Sequence, residues 1–238
     1  MRQPADQQIP KCLLRFGGMS LLERHLTLLT RLGVHEVVLA LGFRHELVRT
    51  ELERLPLQPE IVLNEAFDLG SVLTVHTAAD ALTRGGDVLL MDADVLYHEH
   101  ILQRLIAGAR PVNRLLIDAE FETGDEPVKV CVLDGVPIEL RKQLVPSLQY
   151  DKIGESVGFF RFDESGARRL ASLAADYVAS SRAQLPHEEV VRDLLLERSH
   201  PFEVIEVTGL PWIEIDYPED VSRAEREILP QLQVAVEG

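Results

Sequence analysis

The sequence is short of cysteine, of basic residues and of long apolar runs, and each shortage narrows what the chain can be. Only Cys12 and Cys131 are present, with neither a metal-ligand spacing nor the number needed for a disulfide framework. No basic, apolar leader opens the sequence, so the expected compartment is the cytoplasm. The longest apolar runs, such as Val88 to Met91, fall far short of the ~20 residues a membrane helix needs. A soluble protein with no membrane partner is expected. Lysine and arginine total 24 against 39 acidic residues, a formal charge of −15 that repels nucleic acid and anionic membranes at long range. An anionic small molecule would bind such a chain only through local cations or a metal. G-x-S-x-G, a P-loop lysine and G-x-G-x-x-G are also missing, which removes support from serine hydrolase, P-loop kinase and dinucleotide dehydrogenase.

What is present suffices for a core, since 46% of the 238 residues are hydrophobic, and the length fits one domain spanning residues 1–238. Ser20 and Glu23 form a capping box ahead of leucines at helical spacing, up to Gly33. "VHEVVLALG" then reads as a strand, "RHELVRTELERL" as a helix stopped by Pro56, "EIVLN" as a strand, "GSVLTVHTAADALT" as a helix and "GDVLLMDADV" as a strand ending in acids. This alternation predicts an α/β fold with a mainly parallel sheet and helices on both faces. "RLLIDAEF", "PVKVCVLDG" and "ESVGFFRF" are strands joined by turns such as Asp134-Gly135, which adds a small antiparallel extension. Helices return at 163–178 and 186–198, followed by the strands "FEVIEV" and "WIEID" and a last helix from Pro218 to Ile228.

Open parallel sheets collect ligands at the carboxyl ends of their strands, so acids at strand exits are the candidates. Alternation places Asp92 and Asp94 of "LLMDADV" on one side as the strand leaves the core, where hard oxygens suit Mg²⁺ carrying a phosphate. Acids capping the next loop are the plainer alternative. Asp216 ends "PWIEID" before a helix with Pro218 near its first position, and read alone it is an N-terminal cap before it is a ligand. Lys11, after Pro10, reads by itself as a solvated lysine. Lys129 lies inside an apolar strand, so its ammonium must reach an acid such as Glu126 or Glu155, or a substrate. Trp212 fits core packing, although an aromatic face beside acids also suits a cationic head group. Among eight histidines, His98 and His100 lack the partner that would make a zinc site, and both are expected at the surface.

Taken in order, the segments "PKCLLRFGGMSLLERHL", "NEAFDLGSVLTVHTA", "VLLMDADVLYHEHILQRL", "EPVKVCVLDG", "GESVGFFRF" and "PWIEIDYPEDVSRA" resemble the sugar-phosphate and alcohol-phosphate nucleotidylyltransferases. "GESVGFFRF" and "WIEIDYPEDVSRAE" point to the cytidylyltransferases of phosphocholine-like and inositol-phosphate-like alcohols. The resemblance implies a Rossmann-like nucleotide-binding sheet, a Mg²⁺ ion, a CTP donor and a phosphorylated alcohol acceptor. It assigns Lys11 to the donor's phosphates, Asp94 and Asp216 to the metal, and Gly70, Ser71, Asp92 and Arg2, the arginine that closes the glycine-rich loop, to the nucleotide. Lys129, Glu155 and Trp212 fall on the acceptor side, with Tyr150 and Glu188 as further contacts. The asparagines common near Gly70 in choline-type members are absent, which leaves base and acceptor open.

The implied reaction is in-line attack of the acceptor's phosphate oxygen on the α-phosphorus of CTP, with pyrophosphate leaving. A sugar-1-phosphate nucleotidylyltransferase, a metal-dependent glycosyltransferase and a silent nucleotide-binding module are the alternatives. A homodimer is one assembly compatible with this reading. Met1-Arg2 falls where the family ends its G-x-G-x-R loop. The resemblance therefore implies a strand and glycine-rich loop upstream, roughly a dozen residues. The 238-residue form is accordingly expected to be poorly active, with residues 1–8 displaced.

Overall fold

A computed structural model describes residues 9–108, 112–122 and 124–233. Arg2, and residues 1–8 as a whole, lie outside the described residues.

A 3-10 turn at Lys11–Leu13 leads into β1 (Arg15–Phe16) and β2 (Met19–Ser20), an antiparallel hairpin turned by Gly17 and Gly18 at positive φ. Ser20 then opens α1 (Leu21–Arg31), its hydroxyl accepting from the Glu23 N–H at 3.1 Å. That bond satisfies one of the first-turn donors that a helix leaves unpaired. Leu21, Leu22, Leu26 and Leu29 are buried, and Gly33 follows the helix at φ +79, the left-handed geometry that ends many helices. Next come β3 (Val38–Leu41), α2 (His45–Leu52), β4 (Glu60–Leu63), α3 (Ser71–Thr77), α4 (Ala79–Leu82), β5 (Val88–Met91), β6 (Val95–Tyr97) and α5 (Glu99–Ile106). The chain continues through β7 (Asn113–Asp118), β8 (Lys129–Leu133), β9 (Val136–Arg141), β10 (Lys152–Phe162), α6 (Glu164–Ala179) and α7 (Glu188–Leu196). It ends with β11 (Phe202–Glu206), β12 (Trp212–Glu214), α8 (Pro218–Arg223), a π turn at Ala224–Ile228 and α9 (Leu229–Gln233).

Two expectations need correction. The helix predicted over "GSVLTVHTAADALT" breaks into α3 and α4 at Ala78. The Thr77 hydroxyl donates back to the Leu73 carbonyl at 2.7 Å, a competing bond of the kind that bends helices. His98, expected at the surface, is only 8% exposed. Its N–H donates to the Pro211 carbonyl at 3.0 Å, which places it beside the chain entering β12.

The fold is mixed α/β, and its contacts divide into two compact units. The first takes the described parts of Met1–Leu63, Ala93–Glu99 and Pro211–Gly238. In it β3 and β4 pair in parallel over Leu22, Leu26, Val48 and Leu52. β6 and β12 pair antiparallel over Phe16, Leu21, Leu96, Ile213, Ile215 and Ala224.

The second unit, Asn64–Asp92 with His100–Leu210, is built on a six-stranded sheet ordered β11-β7-β10-β8-β9, with β5 also on β10. β7 and β11 are parallel, whereas β5, β7 and β8 each run antiparallel to β10. It follows that β5, β7, β8 and β11 share one direction and that β10 runs against them. The β8–β9 hairpin turns through Asp134 and Gly135, both at positive φ, as Asp-Gly hairpins do. Phe160, Phe162, Leu115, Ile117 and Leu170 are fully buried against this sheet.

β10 pairs with β8 through its first half and with β5 through its second, and its register against β7 shifts between Ser156 and Phe160. Gly158 sits in that shift at φ +76, its carbonyl accepting from the Asp92 N–H at 3.2 Å. A Cβ at Gly158 would fall 2.3 Å from Asp92 Oδ2. Gly158→Ala is therefore expected to lower the unfolding free energy by about 1–3 kcal/mol. A denaturant midpoint lowered at unchanged m-value would show it; an unmoved midpoint would mean that Asp92 yields without cost.

Candidate active site

The β6–β12 ladder gathers a group of acids. Ile213 and Ile215 are 9% and 2% exposed and anchor the strand inward, so alternation turns Glu214 and Asp216 outward. The Ile215 N–H donates to the Asp94 carbonyl at 3.0 Å, which brings the turn before β6 alongside them. Asp94, Glu214 and Asp216 each offer a carboxylate oxygen, and these oxygens lie within 4.8 Å of one another. The cap at α8 is made by Asp220, whose Oδ2 accepts from the N–H groups of Asp216 at 3.0 Å and Tyr217 at 2.7 Å. Asp216 is thereby released from the capping role that its position suggested, and its carboxylate points to Lys11.

Lys11 stands at the start of the 3-10 turn after Pro10. Its Nζ donates to Asp94 Oδ2 at 3.0 Å and to Asp216 Oδ1 at 2.8 Å. Burial works against the ammonium charge, but the bonds and charges of Asp216 and Asp94 outweigh it and raise the lysine above its ordinary value. Three carboxylates this close repel one another, and an ammonium already stands among them as a stand-in cation. The donor set is all hard oxygen and fits a magnesium-like ion. Beside it, burial and the Asp94 charge push the Cys12 thiol up to about 12, so Cys12 is a neutral packing group and no nucleophile.

The other candidates make different contacts. β5 ends at Met91 and the chain turns at Ala93 and Asp94, so the expected same-side pair of Asp92 and Asp94 does not form. Asp92 instead packs on Gly158 in the second unit, with Oδ1 3.9 Å from His187 Nε2. The His187 N–H donates to Ser71 Oγ at 2.7 Å, and the Val72 N–H donates to the Leu185 carbonyl at 3.2 Å. A Cβ at Gly70 would lie 2.6 Å from the backbone of Gln184, so only glycine admits this close clasp on the start of α3. The bonds of Lys129 Nζ are to backbone oxygens. It donates to the carbonyls of Gly124 at 2.7 Å, Pro127 at 3.2 Å and Lys142 at 2.7 Å. Glu155 faces Lys129 across the β8–β10 ladder, and Trp212 is half-buried opposite Tyr97.

Glu214 and His187 were missed by the reading of the sequence. Glu214 was within reach, because the alternation that turns Asp216 outward turns Glu214 the same way. Nothing local marks His187.

The fold is α/β, and the site is a lysine held between strand-exit carboxylates. Residues 5–158 match the model of the MobA-like NTP transferase domain, and the chain belongs to that family. It is 24% identical over 239 residues to a bifunctional IPC transferase and DIPP synthase of Aquifex aeolicus, covering 99% of this chain and 50% of the relative. The chain thus spans about half the length of that relative, and 48% of a second one of the same name from Thermococcus kodakarensis. It is 20% identical to the CTP:phosphoglutamine cytidylyltransferase of Campylobacter jejuni, covering 92% of both. Among solved structures, the inositol-1-phosphate CTP transferase from T. maritima superposes with a TM-score of 0.74 at 18% identity, covering 98% of this chain and 89% of the other. The CTP:phosphocholine cytidylyltransferase from Streptococcus pneumoniae gives 0.68 at 16%, covering 94% and 91%. These likenesses establish a Rossmann-like nucleotidyltransferase fold. No described helix is long and apolar enough to cross a membrane.

The raised lysine sets a pH dependence. A lysine whose folded pKa exceeds its unfolded value contributes stability that is complete below the unfolded value and lost as pH rises through the folded one. The wild type should therefore lose stability above about pH 10.5 more steeply than Lys11→Met. Thermal midpoints measured across the alkaline range, without divalent ions, check this. Parallel curves would mean that the ion pairs do not couple to folding.

Proposed function

We propose that the chain transfers a cytidylyl group from CTP to a phosphorylated alcohol, releasing pyrophosphate, in a Mg²⁺-dependent reaction. The observation that carries the reading is the bonding of Lys11 to both Asp94 and Asp216, which joins the lysine and two acids of the resemblance at one point. The names of several relatives and structural neighbours carry CTP or a cytidylyl group, with inositol-1-phosphate, phosphocholine, phosphoglutamine or 2-aminoethylphosphonate as the other partner.

On this reading Asp94 and Asp216, with Glu214 beside them, hold the metal, which when bound neutralises phosphate charge. Lys11 binds and orients the donor's phosphates. An oxygen of the acceptor's phosphate forms the new bond to the α-phosphorus as the bond to the β-phosphate oxygen breaks, and that electron pair leaves with pyrophosphate. The attacking phosphate is already ionised, so no side chain has to remove a proton. This agrees with a site of acids and a lysine in which the nearest thiol is held neutral. Gly70, Ser71 and Asp92 are proposed donor contacts. Lys129, Glu155 and Trp212 are proposed acceptor contacts, and Lys129 would have to release a carbonyl to serve.

A screen of phosphorylated alcohols against the four nucleoside triphosphates, scored by pyrophosphate release, tests the assignment. CTP should be preferred and release should stop on chelation of divalent ions. Asp94→Ala and Asp216→Ala should each lower turnover by about a hundredfold or more while the fold survives. Lys11→Ala should weaken CTP binding as well as slow turnover. Wild-type turnover in either aspartate variant would remove that residue from the metal site.

A further inference from the structure

His187 takes no part in the transfer chemistry, yet it stands between two of the proposed donor contacts, Ser71 and Asp92. It is only 8% exposed, and its backbone is fixed on both sides. Its N–H donates to Ser71 Oγ at 2.7 Å, and its carbonyl accepts from the N–H groups of Val190 at 3.0 Å and Val191 at 3.1 Å in α7. The ring meets a carboxylate oxygen at each nitrogen. Glu188 Oε2, at the head of α7, lies 3.3 Å from Nδ1, and Asp92 Oδ1, after β5, lies 3.9 Å from Nε2. From β10 comes the uncharged ring of Phe160, edge-on with centroids 6.4 Å apart.

The Ser71 hydroxyl is the group that this ring controls. Its oxygen already accepts from the His187 N–H, and Nδ1 of the same residue is 3.3 Å away. A hydroxyl carries a single hydrogen, and an imidazole nitrogen either donates or accepts. With hydrogen on Nδ1, Ser71 Oγ accepts twice from His187, and its own hydrogen has to point away from the ring. With Nδ1 bare, the hydroxyl hydrogen turns back and is taken up there. The two carboxylates favour the first arrangement, because a cationic ring with hydrogen on both nitrogens answers both charges. Glu188 Oε2 is buried, where an uncompensated charge is costly, and the nearest described nitrogen to it is Nδ1.

We propose that His187 is a positioning residue for the nucleotide: hydrogen on Nδ1 turns the Ser71 hydroxyl outward, where it donates to an oxygen of bound CTP. Ser71 is half-buried at the start of α3, so the outward hydrogen has an exit. The inference rests on the reading that brings CTP to Ser71, and it goes further by making donor affinity depend on a residue that acts only through another. As pH rises through the range in which histidines lose their charge, about 5–8, the hydroxyl turns back and CTP loses one bond.

Equilibrium binding of CTP with Mg²⁺ to the full chain, without an acceptor and between about pH 5.5 and 8.5, tests this. Ser71→Ala should bind CTP about tenfold more weakly than the wild type at the acid end and within about threefold of it at the alkaline end. Ionisation of CTP itself is common to both proteins and cancels in the ratio. His187→Asn sets an amide NH₂ near Nδ1 and has no proton to lose, so its advantage over Ser71→Ala should stay near about tenfold at every pH. Ring ¹⁵N shifts of His187, assigned by their loss in His187→Asn, should show hydrogen on Nδ1 at the acid end and on Nε2 alone at the alkaline end. A ratio of wild type to Ser71→Ala that does not change with pH would overturn the proposal, since a merely structural bond acts equally at every pH. That comparison stands even where His187→Asn does not fold. Hydrogen kept on Nδ1 at the alkaline end would overturn it as well. Pyrophosphate release together with a flat ratio would sink the role of His187 alone. Failure of the wild type to bind CTP at any pH would sink the donor reading, and this role with it.

Discussion

One ammonium between two carboxylates is the interaction on which the candidate site depends. Asp94, Glu214 and Asp216 bring three oxygens within 4.8 Å of one another on a chain that carries a net charge of −15. Left alone, the charges of such a group would push it apart. Lys11 opposes this by bonding to two of the three. A divalent ion on the same oxygens would answer the same charge, and on the proposed reading it frees the lysine for a triphosphate. On that reading the exchange reconciles a strongly acidic protein with an anionic substrate, because Lys11 answers the acids' charge in the metal's place.

The backbone holds this charge in place by ordinary means. Ile213 and Ile215 are buried with Phe16, Leu21 and Leu96, so the strand bearing Glu214 cannot rotate without exposing them. Asp220 takes the backbone N–H groups of Asp216 and Tyr217 and stops the strand where a carboxylate is needed. The 3-10 turn that presents Lys11 is closed by a bond from the Leu13 N–H to the Pro10 carbonyl at 2.9 Å. An apolar anchor on one face and a cap at the end let a strand exit present acids without drifting.

Much of this was legible in the residues, and the exceptions have physical causes. The capping box at Ser20, the Asp134-Gly135 turn and the helices α6 and α7 follow from local chemistry alone, which acts over a few residues. Asp92 and Asp94 were read as a same-side pair because alternation assumes a continuing strand. The turn at Ala93 and Asp94 is set by the pairing of β6 with β12, which lies more than a hundred positions away and leaves no local mark. Lys11 and Asp216 are likewise remote, so only resemblance to a family could join them before the structure did. Lys129 shows the opposite limit. A lysine in an apolar strand does need partners, but three backbone carbonyls serve as well as a carboxylate, and the sequence does not distinguish them.

In the second unit rigid backbone again meets an acid. The segment from Ala183 to Glu188 presses on the start of α3 so closely that Gly70 has no room for a Cβ, and Ser71 and Val72 are fixed by bonds to His187 and Leu185. The residues nearest α3 are locked by the Ser71 hydroxyl and by the close backbone approach that glycine at position 70 admits. Immediately beyond them, Glu188 begins α7 with a buried oxygen unmatched by any described donor. The clasp limits how far Glu188 can turn, and the nearest described nitrogen to that oxygen is His187 Nδ1 at 3.3 Å.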